Sequence, residues 1–216
     1  MRRLWALLPA LALVASCELP RELEATSSAT PTPTTATTPR PTTPNPTPTT
    51  TPGALAGIEI SAEHHGGYDR EAWPHWRTED GCDTRERVLK AQGSNVRVDE
   101  DCDIVSGTWT SPYDGQVWHD ASDLDIDHIV ALAEAYQSGG HAWDEDARTA
   151  YANDEGLLLA VTDNVNQSKS AQDPSTWLPE LHRCRYVEHW IRIKRDYDLS
   201  MDTAEKAAIR DVLEGC

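Results

Sequence analysis

The chain has 216 residues and a formal net charge of −17, with 36 acidic residues against 19 Lys and Arg. A passive nucleic-acid binder carries a basic stripe, and this balance excludes one. Either a nucleic acid is held locally, by a metal and a few Arg or Lys residues on an acidic surface, or the substrate is something else; the acid content also suits solubility in a salty exterior.

The chain opens on a targeting pattern. Arg2 and Arg3 supply a positive start and Leu4 to Val14 an apolar run, too short to span a bilayer as a stable helix. Val14-Ala15-Ser16-Cys17 follows, small residues before a cysteine in the manner of a lipobox. Residues 1–17 are therefore read as a lipoprotein signal, with Cys17 as the lipidated first residue of the mature protein. Multiple acyl chains there would anchor it firmly. From Thr26 to Pro52 the chain is rich in Thr and Pro and carries no acid. Such a segment cannot bury enough apolar surface to offset its ordering entropy. Residues 18–53 are expected to be a disordered surface spacer, with or without sugars.

Residues 54–216 have one domain's length. They hold Cys82, Cys102, Cys184 and Cys216; outside the cytoplasm an even count points to disulfides. Of three possible pairings we favour Cys82–Cys102 and Cys184–Cys216, each closing a local loop. Zinc is the rival, but the sequence contains no CxxC.

The predicted elements follow in order. Tyr68 to Trp76 is a short aromatic segment, and Asp83 with Glu86 forms a capping-box pattern that starts a helix carrying Val88 and Leu89. Val96 to Val98 is a strand, and Cys102 to Trp118 a hairpin turning at Ser111 to Gly115. Ile126 to Val130 is a short strand. Helices are expected over Ala131–Gln137 and, capped by Asp144, over Asp144–Ala152. Leu157 to Val161 is an apolar strand, with a helix from Asn164 onward. Leu181 to Tyr197 has apolar residues at helical spacing, and Thr203 to Leu213 is a last helix capped by Asp202 or Thr203.

The chemistry concentrates in two clusters. Asp127-His128 ends a short apolar run, where adjacent side chains on an extended backbone point to opposite sides. An acid for a metal and an imidazole for a water thus leave one place in two directions. The second cluster, Asn164 to Lys169 (NVNQSK), can return a neutral oxygen ligand and a lysine to the same place. Together these form the set needed for one-metal phosphodiester hydrolysis.

The order Asp127-His128, Asn153, then Asn166-Gln167-Ser168-Lys169 resembles the HNH (ββα-metal, or His-Me finger) nuclease motif. It is most similar to a secreted bacterial branch related to the nuclease domain of GmrSD-type restriction enzymes. The resemblance runs from about Tyr68 to the C-terminal cysteine and is strongest over Asp125 to Pro179. It implies an α+β fold with a ββα core embedded in further helices and a small hairpin. It also implies an endonuclease leaving 5′-phosphate and 3′-hydroxyl ends, with DNA as the first expected substrate. In that register His128 is the general base, and Asp127 and Asn166 are the metal ligands. Asn153 braces the loop carrying the histidine, and Lys169 contacts a phosphate. Two hard oxygen ligands suit Mg²⁺, or Mn²⁺ in its place. Arg70 and Arg85 either steer the phosphate or form structural ion pairs, and Asp125 and Glu134 read as exposed acids.

The sequence departs from the motif twice. Ala131 stands where many such motifs carry proline, and the stretch from His128 to Asn153 is long enough for two helices. The expected partners are a nucleic acid and, through the lipid anchor alone, a membrane; the chain is expected to be a monomer outside the cytoplasm. A wall- or carbohydrate-binding module is the competing class, since eight Trp are present. Their scattering suits core packing better. A nuclease-like domain without activity is a third reading, and the absence of HExxH disfavours a metalloprotease.

Overall fold

A computed structural model describes residues 51–216, so the signal, Cys17 and nearly all of the spacer lie outside the described residues. The spacer's expected end at residue 53 falls inside a single helical turn, α1 (Thr51–Ala54).

The fold is mixed α+β. Asp83 accepts a hydrogen bond from Glu86 N and starts α2 (Thr84–Gln92). The expected reciprocal box does not form, because Glu86 turns away to accept from Ile104 N and Arg85. Strands β1 (Ser94–Val98), β2 (Ile104–Thr110) and β3 (Val117–Trp118) make a three-stranded antiparallel sheet in that order. Trp109 on β2 inserts beneath α2, its indole donating to Leu89 O at 2.8 Å. Gly93 and Gly107 make that insertion possible, since a Cβ at either would collide with the indole.

The second sheet positions the site. Strand β4 (Leu124–His128) pairs antiparallel with β5 (Leu158–Thr162), Asp127 opposite Leu159 and His128 opposite Leu158. β4 starts and ends two residues before the apolar run that predicted it, so His128 is its last residue. Its alternation divides the core. Leu124 and Ile126, with Leu158 and Ala160, pack against Val88, Leu89 and Trp109. Val161, on the opposite face of β5, joins the larger core with Tyr151, Val187, Trp190 and Ile209.

Between the two strands lie α3 (Leu132–Gln137) and α4 (Glu145–Asn153), the latter capped by Asp144. β5 runs into α5 (Asp163–Lys169), and α6 (Arg183–Asp196) and α7 (Thr203–Glu214) complete the chain, with Asp202 capping α7. The disulfides are Cys82–Cys102 and Cys184–Cys216, the second joining the start of α6 to the C-terminus.

Glu134, expected at the surface, is buried. Burial of a carboxylate requires a paired cation, and Lys194 supplies it from α6 at 2.5 Å. Lys194 also faces Glu205 at 3.4 Å, which accepts from the Trp190 indole. Burial, with Glu134 close by, raises the Glu205 carboxyl to about 7 although Lys194 opposes the rise.

Candidate active site

Because β4 ends at His128 and the chain turns directly into α3, one cavity of about 400 Å³ gathers residues from four segments. Tyr68 and Arg70 come from the N-terminal aromatic segment, Asp127 and His128 from β4, and Asn166 and Gln167 from α5; Ala131 and Leu132 close it from the α3 side.

His128 is buried, and its Nε2 lies 3.0 Å from Ala152 O. A carbonyl oxygen only accepts, so Nε2 carries the proton and Nδ1 keeps the lone pair. The ring stacks nearly parallel to Tyr151 and lies 6.2 Å from Trp76. Burial above all, then Lys169 and Arg70, pushes its pKa down to about 3. The imidazole is therefore neutral across the physiological range, and the bond to Ala152 O makes Nδ1 the ring atom that carries the lone pair.

Asp127 is held from two sides. Lys169 Nζ donates to Oδ1 at 2.8 Å and the Tyr113 hydroxyl to Oδ2 at 2.6 Å. Burial pushes its carboxyl above the ordinary range, while Lys169 and Tyr113 pull the other way. Each oxygen retains a lone pair for a further partner. Tyr113, in the turn after β2, is a site residue that sequence reasoning missed. Nothing local marks it, since the bond joins segments that only the fold brings together.

Asn166 donates from Nδ2 to Asp125 Oδ2 at 3.0 Å. A carboxylate only accepts, so the amide nitrogen must face Asp125, leaving Oδ1 as the free end. Asp125, expected as an exposed acid, is half-buried and orients this amide. The cavity thus offers one carboxylate and one neutral oxygen, a donor set that fits a hard divalent ion such as Mg²⁺ or Mn²⁺.

Two other residues, Lys169 and Asn153, sit differently from expectation, and Arg85 takes the structural ion-pair role of its two expected ones. Lys169 has no solvent exposure, and its ammonium donates to Asp127 Oδ1 and to His128 O at 2.9 Å. It cannot serve as the expected phosphate contact and acts on the acid beside the histidine instead. Arg85 donates to Ala121 O, Leu124 O and Glu86, so its guanidinium fastens the entry of β4 and is not free for a phosphate. Asn153 braces a different segment from the one expected. Its Oδ1 accepts from Arg77 N and Thr84 Oγ1, and its Nδ2 donates to Pro74 O and Thr149 O. It reaches the histidine indirectly, fixing the end of α4 next to Ala152 O and the segment that carries Trp76. Arg70, by contrast, lines the cavity.

Trp73, Trp109 and Trp190 are buried, and Trp76, Trp118, Trp143 and Trp177 are partly buried. Among the described residues no row of exposed indoles offers a sugar platform.

Residues 83–212 match the family model of GmrSD restriction endonucleases, C-terminal domain. A protein of the fungus Arthroderma benhamiae, described as an uncharacterized secreted protein, is 46% identical over 173 residues, covering 77% of this chain and 85% of its own length. That relative is fungal, so the bacterial restriction of the expected resemblance finds no support. No solved structure gives a significant match.

Proposed function

Because the chain belongs to the family of GmrSD restriction endonuclease C-terminal domains, we propose that its cavity hydrolyses phosphodiester bonds in nucleic acid, DNA first, as an endonuclease leaving 5′-phosphate and 3′-hydroxyl ends. The observation that carries this reading is the fixed tautomer of His128: Nε2–H is committed to Ala152 O, and the ring lines the same cavity as Asp127, Asn166 and Arg70.

In this mechanism His128 Nδ1 takes the proton of the attacking water. Lys169 and Tyr113 hold the Asp127 carboxylate in place, and Asp125 turns the Asn166 amide so that its oxygen faces away from the acid. Asp127 and Asn166 would hold a Mg²⁺ or Mn²⁺ ion, which when bound supplies positive charge to the phosphate and the leaving oxygen. Arg70 adds a side-chain cation at the cavity, where the scissile phosphate would enter. Asn153 keeps the Ala152 carbonyl and Trp76 in register with the imidazole.

The proposed site of action lies outside the cytoplasm, which suits two disulfides and a relative described as secreted. Anchoring through Cys17 rests on its motif alone. The test is plasmid cleavage with Mg²⁺ or with EDTA, by the parent and by His128→Ala. The parent should cut only with metal, and loss of the base should slow turnover by about 10²–10⁴-fold. A His128→Ala protein that cuts as fast as its parent would remove the centre of the proposal.

A further inference from the structure

Arg70 brings a guanidinium to the cavity of Asp127 and His128. It forms no salt bridge among the described residues, whereas Lys169 and Lys194, inside the fold, each face a carboxylate. A long exposed side chain without an acid keeps much of its rotamer freedom, yet this one is tied to neutral groups. Its Nη2 lies 3.4 Å from His75 Nε2. Burial raises the Tyr68 pKa and Arg70 pulls it down, so the guanidinium stands close to that phenol oxygen as well.

His75 is set up as an acceptor. Its Nδ1 lies 2.9 Å from Trp73 O, and a carbonyl only accepts, so Nδ1 carries the proton. A guanidinium only donates, so Nε2 must offer its lone pair. Two separate partners thus demand the same tautomer. The backbone that carries the ring is fixed on both sides. Trp73 is buried in the larger core, and Asn153 donates to Pro74 O and accepts from Arg77 N, each at 2.8 Å. Arg70 itself opens a single 3₁₀ turn, Arg70–Ala72, capped by Asp69 and closed by Trp73 N donating to the Arg70 carbonyl.

We propose that His75 is a positioning residue for substrate binding, its Nε2 holding the Arg70 guanidinium so that the remaining N–H groups meet a phosphate of the nucleic acid. The choice of ligand rests on the nuclease reading. A carboxylate at this place would hold the guanidinium equally well but offset its charge, as Asp127 does for Lys169. A neutral acceptor leaves that charge to the ligand. The guanidinium has five donors in a planar fork, so bonds to His75 and Tyr68 still leave donors for phosphate oxygens.

The test is binding of a short fluorescein-labelled DNA duplex in Mg²⁺, followed by anisotropy over a salt series, with every variant built on His128→Ala so that the strand stays whole. Arg70→Gln should weaken binding by about tenfold and reduce the salt slope by about one phosphate contact. His75→Ala should weaken it by about two- to tenfold, because the guanidinium must then be ordered by the ligand. His75→Gln, whose amide oxygen can accept in place of Nε2, should return affinity to within about twofold. Added to Arg70→Gln, the His75→Ala change should cost less than about twofold, since nothing is left to hold; a role in packing alone would persist there. Equal losses from His75→Ala with and without Arg70, or no loss at all, overturn the proposal, as does a duplex that fails to bind below roughly 1 mM. Cleavage by the protein with His128 intact tests the nuclease reading separately. DNA cut by a protein whose His75 variants all bind alike keeps that reading and loses the positioning role; coupled losses at His75 and Arg70 in a protein that never cuts do the reverse.

Discussion

Lys169→Met offers the sharpest test of how the site is built. The ammonium has no solvent exposure and makes two bonds, to Asp127 Oδ1 and to His128 O. Methionine keeps most of the volume and removes both. The His128 carbonyl then lacks a partner, at about 1–3 kcal/mol, and Asp127 becomes a buried carboxylate with only Tyr113 to support it. Breaking one side of a buried pair costs about 3–5 kcal/mol in total. Asp127→Asn alone should cost a similar amount, because it leaves the buried Lys169 ammonium uncompensated and has one acceptor oxygen where Lys169 and Tyr113 each need one. The double variant should then be more stable than the sum of the two losses by about 2–3 kcal/mol, since the uncompensated charge is gone. Urea unfolding of the four proteins with the disulfides intact measures this coupling. All three variants should be poor nucleases, so stability and not activity decides. Losses that simply add, to within about 0.5 kcal/mol, would refute the claim that Lys169 exists to hold Asp127.

Asn166→Ala should weaken Mn²⁺ binding in calorimetry less than Asp127→Ala does, since a neutral ligand is lost in place of a charged one; equal or reversed effects would contradict the assignment. Glu205 titrates near 7 in the fold against 4.5 in an ordinary carboxyl. Its protonated form is thus the one the fold favours, and that stability is complete below pH 4.5 and lost as pH rises through 7. The window corresponds to about 3 kcal/mol, so Glu205→Gln should gain roughly that much on its parent between pH 4.5 and pH 8 in parallel denaturant melts. A pH-independent difference would place the burden on another group. Reducing Cys82–Cys102 or Cys184–Cys216, whose partners lie 20 and 32 residues apart, should cost about 3 and about 4 kcal/mol by loop closure, read as a lower denaturation midpoint in reductant.

The features that were legible in the sequence are those whose cause is local. Asp83, Asp144 and Asp202 each stand just before a helix and accept from the backbone three residues on, a relation that involves one turn of chain. The short apolar runs Ile126 to Val130 and Leu157 to Val161 announce strands for the same reason, although β4 itself lies two residues earlier than its run. What failed was partner choice at long range. Glu86 completes half of a capping box, yet its carboxylate serves Ile104 N, 18 residues away. Lys169 has the composition of a phosphate contact, but a cation's role is set by whether an acceptor is buried beside it. Lys169 meets Asp127 across 42 residues, and nothing within a turn of either one marks the pair.

The same limit governs charge. A net charge of −17 excludes a broad basic stripe only as an average over the chain, and charge acts on a ligand within about a Debye length, roughly 8 Å at physiological ionic strength. Arg185 and Arg192 stand seven residues apart with Glu188 between them; winding them into α6 puts both on one face. Folding also takes acids out of the surface field: Asp127 faces Lys169, and Glu134 faces Lys194 inside the core. The field that a phosphate would meet at the cavity is therefore set by a few residues such as Arg70. Acidity of the whole chain and anion binding at one face are compatible because the fold decides which charges remain unpaired.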